Sequence, residues 1–229
     1  MAIEERETRR ALRAALLFAG AYGLATGLIT RHIDVFAAHV LHYSIGTLTV
    51  VSGIVAGAGF FGAATWGAAA DRFGAKPIVT ISTVLTALNP LFYALATARH
   101  PWPYLVGQVL GGIAGAGWAI GVPLLLLRPT FGGGDRVRAL ALFQATIGIC
   151  SGVAPILGGT LLELTAGAGA RTSYALLFVT SLLGRLAAVW LLRRVPDAGG
   201  ERTRYVATVV LRVQSRRLVA RLARRARAA

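Results

Sequence analysis

The chain has 229 residues, of which 55% are hydrophobic and only 14% are charged, and its mean hydropathy is +0.64. Soluble domains carry about 25% charged residues, so this composition excludes an ordinary soluble protein. A net charge of +15 would suggest nucleic-acid binding in a soluble chain, but no nucleic-acid-reading motif accompanies the charge here. The single cysteine, Cys150, excludes an intramolecular disulfide.

Six long apolar segments follow one another along the chain. They are Leu12–Leu41, Ile45–Ala70, Pro77–Ala98, Pro103–Leu127, Ala139–Leu162 and Tyr174–Leu192. Each approaches or exceeds the roughly 20 residues that a helix needs to cross a bilayer. The runs are continuous and lack the alternation of barrel strands, and the first is too long for a signal peptide. The sequence therefore predicts an all-α membrane protein with six transmembrane helices.

Basic residues alternate between the connections. They precede span one and follow spans two, four and six, whereas the opposite loops contain only Arg99 and Arg171. This asymmetry predicts a multi-pass protein of the cell (inner) membrane with both termini in the cytoplasm. We expect a cytoplasmic segment at 1–10, a transmembrane domain at 11–195 and a basic cytoplasmic tail at 196–229.

The tail alternates arginine with valine and leucine. This pattern predicts an amphipathic helix on the anionic inner leaflet, where each basic residue contributes about 1 kcal/mol. A solvated tail without regular structure is the alternative.

The connection between spans two and three carries a compact charged motif. It reads Gly67-Ala-Ala-Ala-Asp71-Arg72-Phe-Gly74-Ala-Lys76. It closely resembles the loop signature of the major facilitator superfamily, Gly-x-x-x-Asp-Arg-x-Gly-x-Arg/Lys. The resemblance implies that the loop charges latch two domains on the cytoplasmic side. A purely local turn, with Asp71 capping the following helix, is the alternative.

Two further segments carry the resemblance. Span five contains small residues and a proline at Gly148, Gly152, Pro155, Gly158 and Gly159, which resembles the fifth helix of a superfamily half. Span six contains Arg185, as the last helix of many second halves does. We expect that arginine to be structural, with backbone carbonyls or lipid headgroups as its partners.

Members of this superfamily have twelve spans in two six-helix domains, whereas this chain has six. A longer loop, 128–138, divides the six into three plus three, which is the arrangement expected of inverted repeats. First halves usually carry an arginine in the fourth helix, followed by Gln-Gly; here span four has Gln108 and then Gly111-Gly112. The resemblance therefore implies a second, C-terminal half.

In the superfamily, spans one, two, four and five of each half line the solute cavity. The residues that the resemblance makes cavity candidates are polar or charged and lie on these spans: Thr26, Arg31, Asp34, Ser52, Gln108, Gln144 and Thr146. Arg31 lies about 27 Å along a helix from Arg13, close to the bilayer thickness, so an interfacial position is the alternative for Arg31 and Asp34. For the uncharged residues the alternative is an interhelical hydrogen bond.

The function that this reading supports is a secondary solute transporter with alternating access, or one half of one. The alternative is a non-transporting six-helix fragment or assembly module. An intramembrane serine protease at Ser151 is disfavoured because no histidine follows His100 to act as its base. We expect no enzyme activity, cofactor or metal. The expected partners are the lipid bilayer, a small-molecule solute of unknown identity, and a second six-helix half or a second copy, without nucleic acid.

Overall fold

The protein is represented by a computed structural model that describes residues 2–127 and 136–196, with side chains from residue 6 onward. The described residues form helices and contain no strand. The α-helices are α1 (Ala2–Thr30), α2 (His32–His39), α3 (Ile45–Phe73), α4 (Ala75–Leu95), α5 (Trp102–Leu126), α6 (Arg136–Leu164) and α7 (Ala170–Leu192). A short 3₁₀ helix, Ala166–Ala168, precedes α7. The predicted tail lies outside the described residues.

Among the described residues, six helical segments are long and apolar enough to cross a membrane, which confirms the predicted fold class. The first span, counted as Arg6–His39, contains both α1 and α2, because Arg31 forms a turn between them. The other spans begin and end within a few residues of the predicted segments. Helix α1 begins at Ala2, so the predicted N-terminal segment continues directly into the first span.

The principal helix contacts run in one order: α3, α5, α4, α7, α1, α6. Helices α4 and α7 lie in the middle of this series, and α3 and α6 lie at its two ends. If spans one, two and three are exchanged with spans four, five and six, respectively, the series is the same when read in reverse. Each contact therefore maps onto a contact of the same series. This symmetry is the packing expected of two three-helix repeats of opposite orientation, and it supports the three-plus-three arrangement.

Glycine allows the closest of these contacts. A Cβ atom on Gly27 of α1 would lie 2.7 Å from the Ser151 carbonyl oxygen of α6. A Cβ atom on Gly112 of α5 would lie 2.6 Å from the Val55 carbonyl oxygen of α3. These two helix pairs correspond under the repeat exchange. Lipid provides no hydrophobic drive between helices, so close backbone approach is a main source of their association.

Buried side chains concentrate at both ends of the bundle. One cluster includes Ala11, Ala75, Ala139 and Val195, and it defines what we call the terminal end, where the described chain begins and ends. A second cluster, rich in aromatic rings, defines the far end; it includes Phe36, Tyr93, Tyr104, Tyr174 and Phe178. The signature motif therefore lies at the terminal end, and α2 lies at the far end.

Candidate functional site

A single residue, Gly74, separates α3 from α4. Its φ of 89° and ψ of 170° fall in a region that side-chain-bearing residues rarely adopt, and its N–H donates to the Ala70 carbonyl at 2.9 Å. The chain therefore reverses between two spans at one glycine. This junction is tighter than the connection 71–76 that separates the predicted spans.

The signature charges flank this junction. Asp71 lies in the last turn of α3 and is exposed, and the N-cap position of α4 is Gly74, which provides no side-chain hydrogen bond. The alternative interpretation, in which Asp71 caps the following helix, is therefore wrong. A carboxylate near a helix C-terminus meets the negative end of the helix dipole, so its position does not stabilise α3.

The neighbouring basic residues have local partners. Arg72 is exposed, and its guanidinium lies 5.3 Å from the centroid of the Phe73 ring. Lys76, in the first turn of α4, donates from Nζ to the Val195 carbonyl just beyond α7. Gly67, at the start of the motif, faces open space. The motif thus combines a hydrogen bond between α4 and the end of α7 with an exposed carboxylate that caps neither α3 nor α4.

Three helices meet at Thr86 in the middle of the bundle. Pro90 of α4 has no N–H, so the Thr86 carbonyl lacks its usual helical donor. Arg185 of α7, which is only 5% exposed, donates to that carbonyl from Nη1. Tyr22 of α1 donates to Oγ1 of Thr86 at 3.2 Å. The predicted backbone-carbonyl partner of Arg185 is confirmed, and a proline creates the need for it.

A hydrogen-bonded chain runs through the far end. Tyr93 of α4 donates to Oε1 of Gln108 at 3.2 Å, and Nε2 of Gln108 donates to the Tyr104 hydroxyl at 2.8 Å. The Tyr104 hydroxyl donates in turn to Oδ1 of Asp34 at 3.5 Å. Two of the cavity candidates, Asp34 and Gln108, are thereby linked through a tyrosine on α5.

The remaining cavity candidates do not join this chain. Thr26 and Thr146 donate to carbonyl oxygens of their own helices, at 2.7 Å to Tyr22 and 2.8 Å to Leu142. The other three candidates have exposed side chains. Arg31 lies in the α1–α2 turn, Ser52 lies on α3 and Gln144 lies on α6.

Helices α3 and α6 each have a face without neighbours. In the most apolar 18-residue stretch of each of these helices, only 11% is buried, against 33% to 50% in the other spans. A Cβ atom at Gly53 or Gly57 of α3, or at Gly148 or Gly152 of α6, would meet nothing within 4 Å among the described residues. We call these the open faces. In contrast, Gly158 faces the Leu28 carbonyl and the His32 ring, and Gly159 lies near that ring.

Several residues of these networks were not singled out from the sequence: Tyr22, Thr86, Tyr93 and Tyr104. One signal was available. The polar residues of α4 recur at helical spacing, at Ser82, Thr86, Asn89 and Tyr93, and all four are buried. A polar stripe in an apolar helix marks a face that packs inside a bundle, because lipid cannot satisfy it.

A family model of the Major Facilitator Superfamily matches residues 11–225, which is nearly the whole chain. The chain belongs to the Major Facilitator Superfamily. The predicted resemblance is therefore confirmed.

The curated relatives include proteins named for drug resistance. The class B tetracycline resistance protein of Escherichia coli is 30% identical over 103 residues, which is 44% of this chain and 25% of that protein. The multidrug resistance protein MdtH of Photorhabdus laumondii is 34% identical over 131 residues, which is 56% of this chain and 29% of that protein. The matched part of the chain thus spans less than a third of the length of these relatives.

Among solved structures, the chain resembles the proton:xylose symporter XylE bound to 6-bromo-6-deoxy-D-glucose. The TM-score is 0.63 at 17% identity, over 85% of this chain and 46% of that structure. At this identity the likeness shows the fold alone. The six spans described above therefore have the fold of about half of a superfamily transporter.

Proposed function

We propose that this chain forms one six-helix half of a secondary transporter that moves a small-molecule solute across the membrane by alternating access. The observation that carries the proposal is the pair of open faces at the two ends of the helix series. A complete solute pathway in this superfamily forms between two six-helix units. The second unit is either part of the same polypeptide or a separate chain.

The composition of the open faces supports a missing neighbour. Gly57 and Gly152 would each present bare backbone to lipid if nothing covered them. Small residues are enriched where membrane helices approach each other closely, and they contribute little contact with lipid chains. We infer that the second unit packs on α3 and α6, and that the predicted packing role of Gly148 and Gly152 is exerted there.

Asp71 is proposed as a latch to that second unit. Its carboxylate is exposed, lies at the unfavourable end of the α3 dipole and caps neither α3 nor α4. A charge in such a position is better explained by a partner outside this unit than by the stability of its own helix. The neighbouring bond from Lys76 to Val195 would keep the terminal end closed while the latch forms or breaks.

The proposed orientation places the terminal end in the cytoplasm and the far end outside the cell, in the inner membrane. The excess of basic residues at the terminal end supports it. We also propose that the unit is the C-terminal half, because Gln108 occupies the position where first halves usually carry an arginine. The solute is proposed to be a small organic molecule: several cavity candidates are uncharged, and two relatives are named for resistance to drugs.

Cysteine crosslinking tests the interface. In a Cys150→Ser background, Gly57→Cys and Gly152→Cys should each crosslink to a second six-helix unit in membranes, because both positions lie on the open faces. The matched control is Leu183→Cys, which is 61% exposed on α7, in the middle of the helix series, and should not crosslink. Crosslinking of all three positions to the same extent, or of none, would contradict the proposed interface.

Transport and topology complete the test. The described unit alone should not catalyse concentrative uptake in liposomes, whereas the assembly with a second unit should. Cysteines introduced at residues 72, 100 and 171 report orientation through an impermeant reagent. Labelling at 100 and 171 from outside is expected, and labelling at 72 from outside would refute the proposed topology. Concentrative uptake by a strictly monomeric six-helix unit would show that the unit is a transporter by itself and would contradict the proposal that it is one half of a transporter.

A further inference from the structure

Helix α1 has one side that no other described helix covers. Phe18 and Tyr22 are buried on its inner side, whereas Leu17 is 59% exposed and Leu24 is 39% exposed. Arg13, Leu17 and Leu24 are separated by four and seven residues, so they share the outer side of the helix. This side belongs to neither open face, because those lie on α3 and α6. Within a membrane it meets lipid.

A cavity lies on this outer side of α1 at the terminal end. Its volume is about 360 Å³, and its described lining consists of Arg13, Leu16 and Leu17. The two leucines give it an apolar wall. Arg13 is exposed and has neither a hydrogen bond nor an ion pair among the described residues. A guanidinium has five N–H donors, so the cavity combines apolar surface with donors that no described acceptor occupies.

Helix α6 places two further arginines at the level of Arg13. Gly27 of α1 meets Ser151 of α6, which is an offset of 124 residues (151 − 27), and the equivalent contact one turn earlier has the same offset. The two helices therefore run parallel, and Arg13 lies at the level of position 137. Arg136 and Arg138 flank that position.

Helix α7 contributes positive charge to the same end. Leu192 and Val195 pack in one cluster with Ala11 of α1. Between them, Arg194 stacks over the ring of Trp190 at 3.9 Å, and that ring is 51% exposed. Three neighbouring helices thus present arginines around one apolar cavity, which makes an anion with an apolar part the best-matched occupant.

Phospholipid has both parts. Arginine binds phosphate oxygens through paired, charge-assisted hydrogen bonds, and an acyl chain is the natural cover for exposed leucine in a bilayer. Basic pockets beside membrane helices recognise anionic headgroups in this way. The basic residues 196–229 of the chain itself are poor occupants, because their charge has the same sign as that of the cavity.

We propose that this cavity binds one anionic phospholipid: the Arg13 guanidinium holds the phosphate, and an acyl chain lies along Leu16, Leu17 and Leu24. The neighbouring arginines of α6 and α7 raise the positive potential at the site, so a headgroup with net negative charge is favoured over a zwitterionic one. The site lies within this unit and does not depend on the proposed second half.

Native mass spectrometry of the full chain tests the site with two probes that carry the same acyl chains, dioleoyl phosphatidylglycerol and dioleoyl phosphatidylcholine. The wild type should prefer phosphatidylglycerol. Arg13→Gln should weaken phosphatidylglycerol binding about tenfold, as expected for the loss of one charge-assisted contact, and should lose most of the preference. Inorganic phosphate should not displace the lipid, because it has no acyl chain. Displacement by phosphate, or a wild type without preference, would overturn the proposal.

Matched variants separate a defined site from general attraction to a basic surface. Arg13→Lys keeps the charge without the bidentate geometry, so it should lose less binding than Arg13→Gln. Leu17→Ser should weaken both lipids equally and preserve the preference.

The matched control is Arg72→Gln, which removes an exposed arginine of the same end on α3, away from the cavity, and should bind as the wild type does. The basic tail is the same in every variant, so its own attraction for anionic lipid cancels. Thermal midpoints in lipid-free detergent should not differ between the Arg13 variants and the wild type, because Arg13 is exposed. Equal losses in Arg13→Gln and Arg72→Gln would show that no defined site exists.

Discussion

The seam between α4 and α7 and the open faces of α3 and α6 differ in composition and in packing. The seam is buried and polar: Thr86, Ser181 and Arg185 are each at most 6% exposed and bonded to backbone or side-chain partners of other helices. The open faces are glycine-rich and unpacked among the described residues. The seam therefore bonds its polar side chains inside the unit, whereas the glycines of the open faces mark where a neighbour is missing.

Two glycine substitutions of the same size should show most clearly how the packed interior differs from the open faces. Gly27→Ala places a methyl group 2.7 Å from the Ser151 carbonyl oxygen and from the Ala154 Cβ. Overpacking of this kind costs about 1–3 kcal/mol, so the thermal midpoint in detergent should fall. Gly152→Ala meets open space and should raise helix stability slightly, since alanine is the better helix former by about 1 kcal/mol.

The same pair distinguishes packing inside the unit from packing between units. Gly152→Ala should weaken crosslinking of Gly57→Cys to the second unit, although the six-helix unit itself stays stable. Equal destabilisation of the isolated unit by both variants would show that the α6 face is already covered.

A double-mutant cycle sharpens the account of the seam. Arg185→Met orphans the Thr86 carbonyl but also removes a buried charge, so its net effect combines two opposing terms. Pro90→Ala restores a helical N–H for that carbonyl, and Arg185→Met should then be less damaging. We expect a coupling energy of about 1–2 kcal/mol from thermal unfolding of the four proteins. Strict additivity would mean that proline and arginine do not share this carbonyl.

The sequence predicted the architecture well, because span length and continuous hydrophobicity depend only on the bilayer. The six spans and the helical class were accessible in this way. The break at Arg31 was not, since a turn between two helices of one span leaves the hydrophobic pattern intact. The backbone-carbonyl partner of Arg185 was expected, but the identity of Thr86 required knowing that α4 and α7 are neighbours.

The smallest effect on stability is expected at Asp71. Asp71→Asn removes the charge from the last turn of α3, where the carboxylate has no bond to lose among the described residues. Stability should therefore hardly change. Transport by the assembled protein should fall by at least about fivefold, and cysteines near Gln144 and Gln108 should become more accessible from the cytoplasm. Unchanged transport with unchanged accessibility would leave Asp71 without a latch role.

The site residues were harder to predict than the fold. Gln108 was selected as a polar residue in mid-span, but its function as the middle of a chain depends on two tyrosines from different helices. The alternative that Asp71 caps the following helix was wrong, because the charged motif looked like a loop, whereas α3 continues to Phe73. The sequence indicates which positions of a span are polar, whereas the hydrogen-bond partner of each polar residue depends on which helices are neighbours.

The order of helix contacts has a consequence for biosynthesis. Helix α1 finds its main neighbours in α6 and α7, which are made after the other described spans. Gly27 meets Ser151, so roughly 120 residues must emerge before that contact forms, at about 5–20 residues per second. During this interval α1 rests in the bilayer without its partners. A ribosome that stalls before α6 would therefore leave an inserted but unassembled first span, which is a substrate for membrane quality control.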